Sequence, residues 1–312
     1  QCFSSHISNR FGRLRTTSST SKDQLMGNPF IPFPRCENII IVGDAAAEYL
    51  GALRIYGRGL IGGDVPSMEL LHPMEKHLEC VSCFLNDPTQ VLMPAARRMK
   101  ANFVVLEENG SADFNPAAGR EALEKEGISV KILDVRGSTE LVLRRAGKLF
   151  GEEKQAERII RERTERLAAL DDVRKSIRKG QKAAIFLAIR SPVRHESYVF
   201  RISERSALSQ LLTNTFAIEN INVRPNAEER IPGIQELDDL SDLFEKNPDL
   251  IVYTGDAAAC GQKTAEFIRK HPQFAECNAV KNGRIYGAPY YCHALDLRRH
   301  EILEAWSDVL AD

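Results

Sequence analysis

The stretch GKLFGEEKQAERIIRERTERLAALDDVRKSIRK, from Gly147 to Lys179, decides the fold. It contains no proline, and no glycine after Gly151, and most of its residues are strong helix formers. Apolar residues recur mostly at three- and four-residue steps, which predicts one buried stripe opposite a charged face. The stripe consists of Leu149, Ala156, Ile159, Ile160, Leu167, Leu170, Val173 and Ile177. About 30 helical residues span about 45 Å, more than the depth of one small domain. We therefore predict that this helix bridges two lobes; a long helix within one domain, or a coiled coil, is the alternative.

The segments on either side of the predicted helix repeat one order of elements. Before it, a buried strand (38–42) breaks at Gly43-Asp44 and enters an Ala-rich helix (45–53). After it, strands at 183–189 and 249–253 are each followed by a polar loop and a helix. Strands that alternate with helices favour parallel sheets with right-handed crossovers. We predict an α/β fold of two Rossmann-like lobes, with mainly parallel sheets, bridged by one long α-helix.

The chain of 312 residues is long enough for two domains that each bury a core. We assign residues 35–146 to an N-terminal α/β lobe, 147–179 to the bridging helix and 180–312 to a C-terminal α/β lobe. Residues 1–34 mix Ser, Thr, Arg and Pro without periodicity. That composition is typical of an arm or leader outside the packed core.

Charge and motif content restrict the class of function. The 42 basic and 43 acidic residues leave a formal net charge of -1, so no chain-wide field attracts nucleic acid. No nucleophile motif, phosphate-binding loop or H-E-x-x-H stands out, and we expect a protein that is not an enzyme. Gly57 to Gly62 matches G-x-G-x-x-G, but it follows a helix and leads into a strand-like run, so we interpret it as a helix-to-strand turn.

Three stretches, in their order and spacing, resemble a known family. They are FPRCENIIIVGDAAAEYLGALRIYGRGLIGG (Phe33 to Gly63), LFEKNPDLIVYTG (Leu243 to Gly255) and AVKNGRIYGAP (Ala279 to Pro289). Over roughly Pro34 to Asp312 the chain resembles the ABC-transporter substrate-binding proteins of the siderophore, haem and cobalamin class. The resemblance implies capture of an anionic metal complex, an iron-siderophore or haem, in the cleft between the lobes. A corrinoid or a molybdate-like oxyanion is an alternative cargo.

The resemblance also implies partners and location. We expect a monomer that needs no cofactor, lies in the periplasm or is anchored on the outer face of the cytoplasmic membrane, and delivers a small-molecule metal chelate to an ABC permease. Family members usually present one Glu on each lobe to the permease. Pro94 and Ser241 occupy the aligned positions here, and Glu107, Asp239 and Asp242 are nearby substitutes. A partner-binding or sensory protein that kept the fold without permease docking is a further alternative.

Candidate ligand residues follow the predicted strands, because ligands of open α/β sheets bind at the carboxyl ends of strands. Guanidinium groups suit oxyanions, and a solvated basic loop is the alternative for the second-lobe cluster. Asp44, at the start of the first helix, suits either a helix cap or a ligand contact beside free N–H groups. The predicted ligand-binding residues are Asp44, Arg190, Arg194, His195, Tyr198, Arg201, Tyr290, Tyr291 and His293.

Soft donor side chains also cluster before the first-lobe strand at 103–106. We take Met68, His72 and His77 as candidate metal ligands, close to the C-x-x-C pair Cys80 and Cys83. One such pair falls short of a structural zinc site, and it suits a disulfide equally well in an exported protein. A metal or redox enzyme that uses this Cys/His cluster is the alternative function. Seven cysteines, an odd number, leave at least one thiol outside any complete disulfide set.

Overall fold

A parallel sheet forms the centre of the N-terminal lobe, with strand order β5-β4-β2-β6-β7. The computed structural model describes residues 35–62, 74–190, 197–222, 233–237, 239–287 and 296–311, which belong to one compact unit. The predicted arm or leader, residues 1–34, lies outside this range. The strands are β1 (Arg35–Cys36), β2 (Ile39–Val42), β3 (Ile55–Tyr56), β4 (Gly59–Ile61), β5 (Lys76–Glu79), β6 (Phe103–Glu108) and β7 (Val130–Asp134), and β1 pairs separately with β3.

Helices cover both faces of this sheet. Ile39 and Ile41 of β2 join one buried cluster, whereas Ile40 and Val42 join another on the opposite face. This explains why β2 is apolar at every position, as strands of parallel sheets are when both faces are covered. The helices are α1 (Asp44–Ala52), α2 (Val81–Asn86), α3 (Pro88–Met99), α4 (Arg120–Lys125) and α5 (Thr139–Phe150), with a 3₁₀ turn at Pro116–Gly119.

The C-terminal lobe has a mixed sheet of order β11-β9-β8-β12-β13, and β10 also pairs with β8. Strands β8, β10, β12 and β13 are parallel, but β9 and β11 run antiparallel to their neighbours. Strand β9 runs antiparallel to β8, and Ser197 pairs with Arg190. The strands are β8 (Lys182–Arg190), β9 (Ser197–Ile202), β10 (Glu219–Asn220), β11 (Ile234–Glu236), β12 (Leu250–Gly255) and β13 (Ile285–Gly287).

The bridging helix α6 (Glu153–Ser176) has 24 residues and so extends about 36 Å. It is shorter than the predicted 147–179, because Gly151 adopts a left-handed conformation (φ 72°) that ends α5 at Phe150. The predicted apolar stripe serves both lobes, except that Val173 is 40% exposed and so is not buried as predicted. Ala156, Ile159 and Ile160 pack into the first-lobe core, whereas Leu167 and Leu170 pack into the second-lobe core.

The remaining helices belong to the second half of the chain. They are α7 (Ala207–Phe216), α8 (Ser241–Glu245), α9 (Ala257–Lys270), α10 (Asn278–Lys281) and α11 (Arg299–Ala311), with a 3₁₀ turn at Pro272–Glu276. Within the described ranges, the chain contains no helix of the length and hydropathy that a bilayer crossing requires.

The chain returns to the first lobe shortly before its end. Leu297 is buried in the N-terminal core, and Arg298 Nε lies 3.1 Å from Glu48 Oε2 on α1. Helix α11 then carries Trp306 into the core of the C-terminal lobe. The N-terminal lobe is therefore built from two separate parts of the sequence.

Candidate functional site

The amino end of α1 is filled by a side chain of the protein itself. Glu107, buried at the end of β6, accepts hydrogen bonds from Ala46 N and Asn109 Nδ2, both at 2.9 Å. A carboxylate at a helix start is stabilised by the free N–H groups and the helix dipole. The N–H of Ala46 is therefore already paired, and the predicted ligand contact at the start of α1 stays a prediction.

Asp44 is buried where α1 begins, directly after β2 and Gly43. The helix cap is Gly43, and Asp44 is the first residue of α1, so the predicted capping role is wrong. Its buried carboxylate lies against Gly62, where an added Cβ would overlap Asp44 Oδ1. The last glycine of the G-x-G-x-x-G match thus makes room for Asp44. The predicted contact between Asp44 and a ligand stays a prediction.

Replacing Glu107 with alanine should lower the free energy of unfolding by about 1–2 kcal/mol, since Ala46 N loses a buried acceptor. The change is measured by urea denaturation. Glu107→Gln is the matched control, because an amide oxygen can still accept from Ala46 N, and it should lose less. Equal stability of the alanine variant and the parent would contradict a capping role.

Carboxylates predominate where the first-lobe strands end. Glu79 ends β5, Glu107 and Glu108 end β6, and Asp134 ends β7. Arg136 Nε lies 2.8 Å from Asp134 Oδ1, and this hydrogen bond lowers the pKa of Asp134 to about 2. Arg145 Nη1 also lies 3.4 Å from Asp134 Oδ2, so arginines partly neutralise the carboxylates of this edge.

In the second lobe, one aspartate connects the start of β9 to helix α9 by hydrogen bonds. Asp256, the cap of α9, accepts from Ala259 N at 3.1 Å and from Ser197 Oγ at 2.8 Å. Tyr198, beside Ser197, pairs with Ile189 near the carboxyl end of β8 and is 42% exposed. The structure thus places Tyr198 at the predicted edge with an accessible side chain.

Arg201 lies elsewhere. Because residues 197–202 form an antiparallel strand and not a loop, Arg201 pairs with Phe186, well back from the end of β8. Its side chain is 0% exposed. It donates to Asp242 Oδ2 (2.8 Å) and to the main-chain oxygen of Asp239 (2.8 Å). We therefore correct its predicted position at the strand end and assign its guanidinium an internal, structural role.

Several predicted residues fall outside the part of the chain that the structure describes, and their roles stay predictions. The backbone of Arg190 ends β8, but its side chain is outside that part. The others are Met68, His72, Arg194, His195, Tyr290, Tyr291 and His293.

The two positions considered for permease docking differ in burial, since Pro94 is exposed and Ser241 is half-buried. Pro94 lies inside α3, and the Ser241 hydroxyl donates to Asp239 Oδ1 at 3.1 Å. Among the substitutes, Glu107 is buried and so is not available at the surface. Asp242 accepts a hydrogen bond from Arg201. The second-lobe carboxylates at 239 and 242 stay candidates.

The C-x-x-C pair gains a third donor that sequence spacing did not indicate. Ligand atoms of Glu79, Cys80 and Cys83 all lie within 4.8 Å of one another. Both cysteines carry free thiols, and the hydrogen bond with Cys80 raises the pKa of Cys83 to about 11. His77 is exposed on β5 and does not belong to this group. Glu79 directly precedes Cys80, and that adjacency is the one signal that could have identified it.

Comparison with known proteins agrees with this architecture. The profile of the periplasmic binding protein family matches residues 104–291, whereas the curated protein sequences yield no significant match. The periplasmic heme-binding protein RhuT from Roseiflexus sp. RS-1 superposes with a TM-score of 0.58 at 14% identity, over 89% of this chain and 98% of that one. The iron-uptake system-binding protein FeuA from Bacillus subtilis gives 0.56 at 18% identity, over 88% and 94%. The periplasmic heme binding protein HutB of Vibrio cholerae gives 0.54 at 15% identity, over 88% and 100%. At these identities the likeness shows a shared fold.

Proposed function

This chain belongs to the periplasmic binding protein family, and from that membership we propose that it captures an anionic metal complex, an iron-siderophore or haem, in the cleft between its lobes. The observation that carries the proposal is the architecture, in which one helix, α6, packs into the cores of both lobes. Solved structures of the same fold are named as heme-binding and iron-uptake proteins, which supports this class of cargo.

The charge of the two sheet edges supports an asymmetric site. The first-lobe strands end in carboxylates, part of them paired with arginines, and the helix start at Ala46 is occupied by Glu107. The sequence between β8 and β9 contains Arg194 and His195, whose side-chain types suit carboxylate or oxyanion groups. We therefore assign the anionic groups of the cargo to the C-terminal lobe.

Tyr198 is the described residue best suited to contact the cargo. Its exposed side chain lies at the carboxyl end of β8, where ligands of such sheets bind. A phenol offers an aromatic face, a hydrogen-bond donor and, once deprotonated, an oxygen ligand for haem iron. The same features would serve a ferric siderophore.

The proposal extends to location and partner. We propose that the protein works outside the cytoplasm, as a monomer, and passes its cargo to an ABC permease. Asp239 and Asp242, close to Ser241 on the second lobe, are the carboxylates that we assign to permease contact there.

The proposal is tested by adding haem, a ferric siderophore, cobalamin and molybdate separately to the purified chain. Visible absorbance and melting temperature are followed, because a cargo present at 100 times its Kd stabilises the folded state by about 2.7 kcal/mol. Haem or the siderophore should raise the melting temperature. Stabilisation by cobalamin or molybdate alone would mean that the cargo is a corrinoid or an oxyanion, not an iron-siderophore or haem. No response to any of the four compounds would contradict the proposal. Tyr198→Ala should weaken binding without loss of stability, whereas Val173→Ala, at an exposed position of α6, should bind normally.

A further inference from the structure

One carboxylate and two thiols meet where β5 ends and α2 begins. Glu79, Cys80 and Cys83 belong to one five-residue segment. One ligand atom from each of them lies within 4.8 Å of the others. We propose that these residues form a binding site for a thiophilic divalent cation, with Zn²⁺ as the best fit, and that its fourth coordination position is open to solvent.

The donor set selects the class of metal. Two thiolates disfavour Mg²⁺ and Ca²⁺, which take oxygen ligands, and favour Zn²⁺ and similar soft or borderline ions. The Glu79 carboxylate is a common oxygen ligand of Zn²⁺ and a poor one for monovalent copper. Three protein ligands at an exposed position leave room for a water molecule or an exchanging partner, unlike a closed structural site with four protein ligands.

The backbone already holds the donors in place. Cys83 N donates to Cys80 Sγ at 3.3 Å, and Cys80 N donates to Glu79 Oε1 at 3.1 Å. The carbonyl oxygen of Glu79 accepts from Gly62 N at 3.2 Å, which ties this segment to the end of β4. Such outer hydrogen bonds orient metal ligands and reduce the cost of ordering them on binding.

The buried residue that follows the cysteine pair fixes the turn to the lobe. Phe84 is fully buried in the core under β2 and β6, and Gly119 lies so close that an added Cβ would overlap the Phe84 ring. The thiols therefore project from a segment anchored in the core. This site differs from the predicted set of Met68, His72 and His77, and it does not depend on the cargo proposed for the cleft.

The proposal is tested on the reduced 312-residue chain by titration with Co²⁺ and by competition for Zn²⁺ against a chromophoric chelator. We expect one equivalent of Co²⁺ to give a thiolate-to-metal charge-transfer band that Zn²⁺ removes. Cys80→Ser and Cys83→Ser should each abolish the band, and Glu79→Gln should weaken Zn²⁺ binding at least tenfold. Ser82→Ala, an exposed change within the same turn, is the matched control and should bind like the parent.

Three outcomes would overturn the proposal. The first is the absence of a charge-transfer band in the reduced parent protein. The second is a band that persists in the Cys80→Ser/Cys83→Ser double variant, because other cysteines would then supply the thiolates. The third is a Cys80–Cys83 disulfide that resists reduction in the folded protein, as counted by thiol titration. Melting temperatures of the variants verify that lost binding does not reflect unfolding.

Discussion

Replacing Arg201 with alanine should lower the free energy of unfolding by about 3 kcal/mol or more, because removal of one partner from a buried ion pair leaves the other uncompensated. The guanidinium is 0% exposed, whereas the Asp242 side chain is 33% exposed, so solvent relieves part of the loss. The main-chain oxygen of Asp239 also loses its donor. Urea denaturation followed by circular dichroism measures the effect.

Two further variants separate a structural role from a role in cargo binding. Arg201→Met keeps most of the side-chain volume and should lose less stability than Arg201→Ala. Arg136→Ala removes an exposed arginine from its pair with Asp134 and should change stability by about 1 kcal/mol at most. If Arg201→Ala kept full stability and lost cargo binding, the structural assignment of Arg201 would be wrong.

Replacing Arg163 with alanine should cost about 2 kcal/mol, because this arginine joins α6 to α5 and to the main chain at Asp296. The partner carboxylates of Glu140 and Asp296 are 34% and 56% exposed, so solvent relieves part of the loss. The Arg163 side chain is 7% exposed, and Nη1 lies 2.9 Å from Glu140 Oε1 on α5. Nη2 lies 3.0 Å from Asp296 Oδ2 and 2.8 Å from the Asp296 main-chain oxygen. Loss of these contacts should also separate the unfolding of the two lobes into distinguishable steps.

Arg166, less than one turn further along α6, is the matched control. It pairs with Glu304, but it is 46% exposed, so Arg166→Ala should change stability by about 1 kcal/mol at most. Chemical denaturation is followed by Trp306 emission, which reports the second-lobe core, and by circular dichroism, which reports both lobes. Coincident transitions and parent-like stability for Arg163→Ala would contradict the proposed role.

The sequence predicts those parts of the fold that local patterns determine. Strands β2, β6, β8 and β12 are continuous apolar runs between turn residues, and the stripe of α6 has a clear helical period, so both were predicted. Strands β5 and β11 were missed, because a short edge strand with polar residues has no such pattern. Strand β9 was taken for a loop, since arginine, histidine and proline precede it.

The candidate site was predictable only where it depends on neighbours in sequence. Tyr198 was predicted in a loop after β8, and it lies instead in β9, opposite Ile189 and so still near the carboxyl end of β8. Glu107 could not be identified as the partner of Ala46 N, since 61 residues separate them and only the pairing of β2 with β6 brings them together. Arg201 was misplaced for the same reason. Its position in the sheet depends on the antiparallel pairing of β9 with β8, which the apolar pattern does not encode.

The return of the chain at Leu297 and Arg298 has a consequence for biosynthesis. A protein emerges from the ribosome amino end first, and an early domain often folds before the later ones are made. Here the first lobe includes a core side chain and an ion-pair partner that are synthesised after nearly all of the second lobe. Its complete core therefore forms only after strands β8 to β13 have been synthesised, so the segment before α6 cannot reach its final packing as an independent nascent domain.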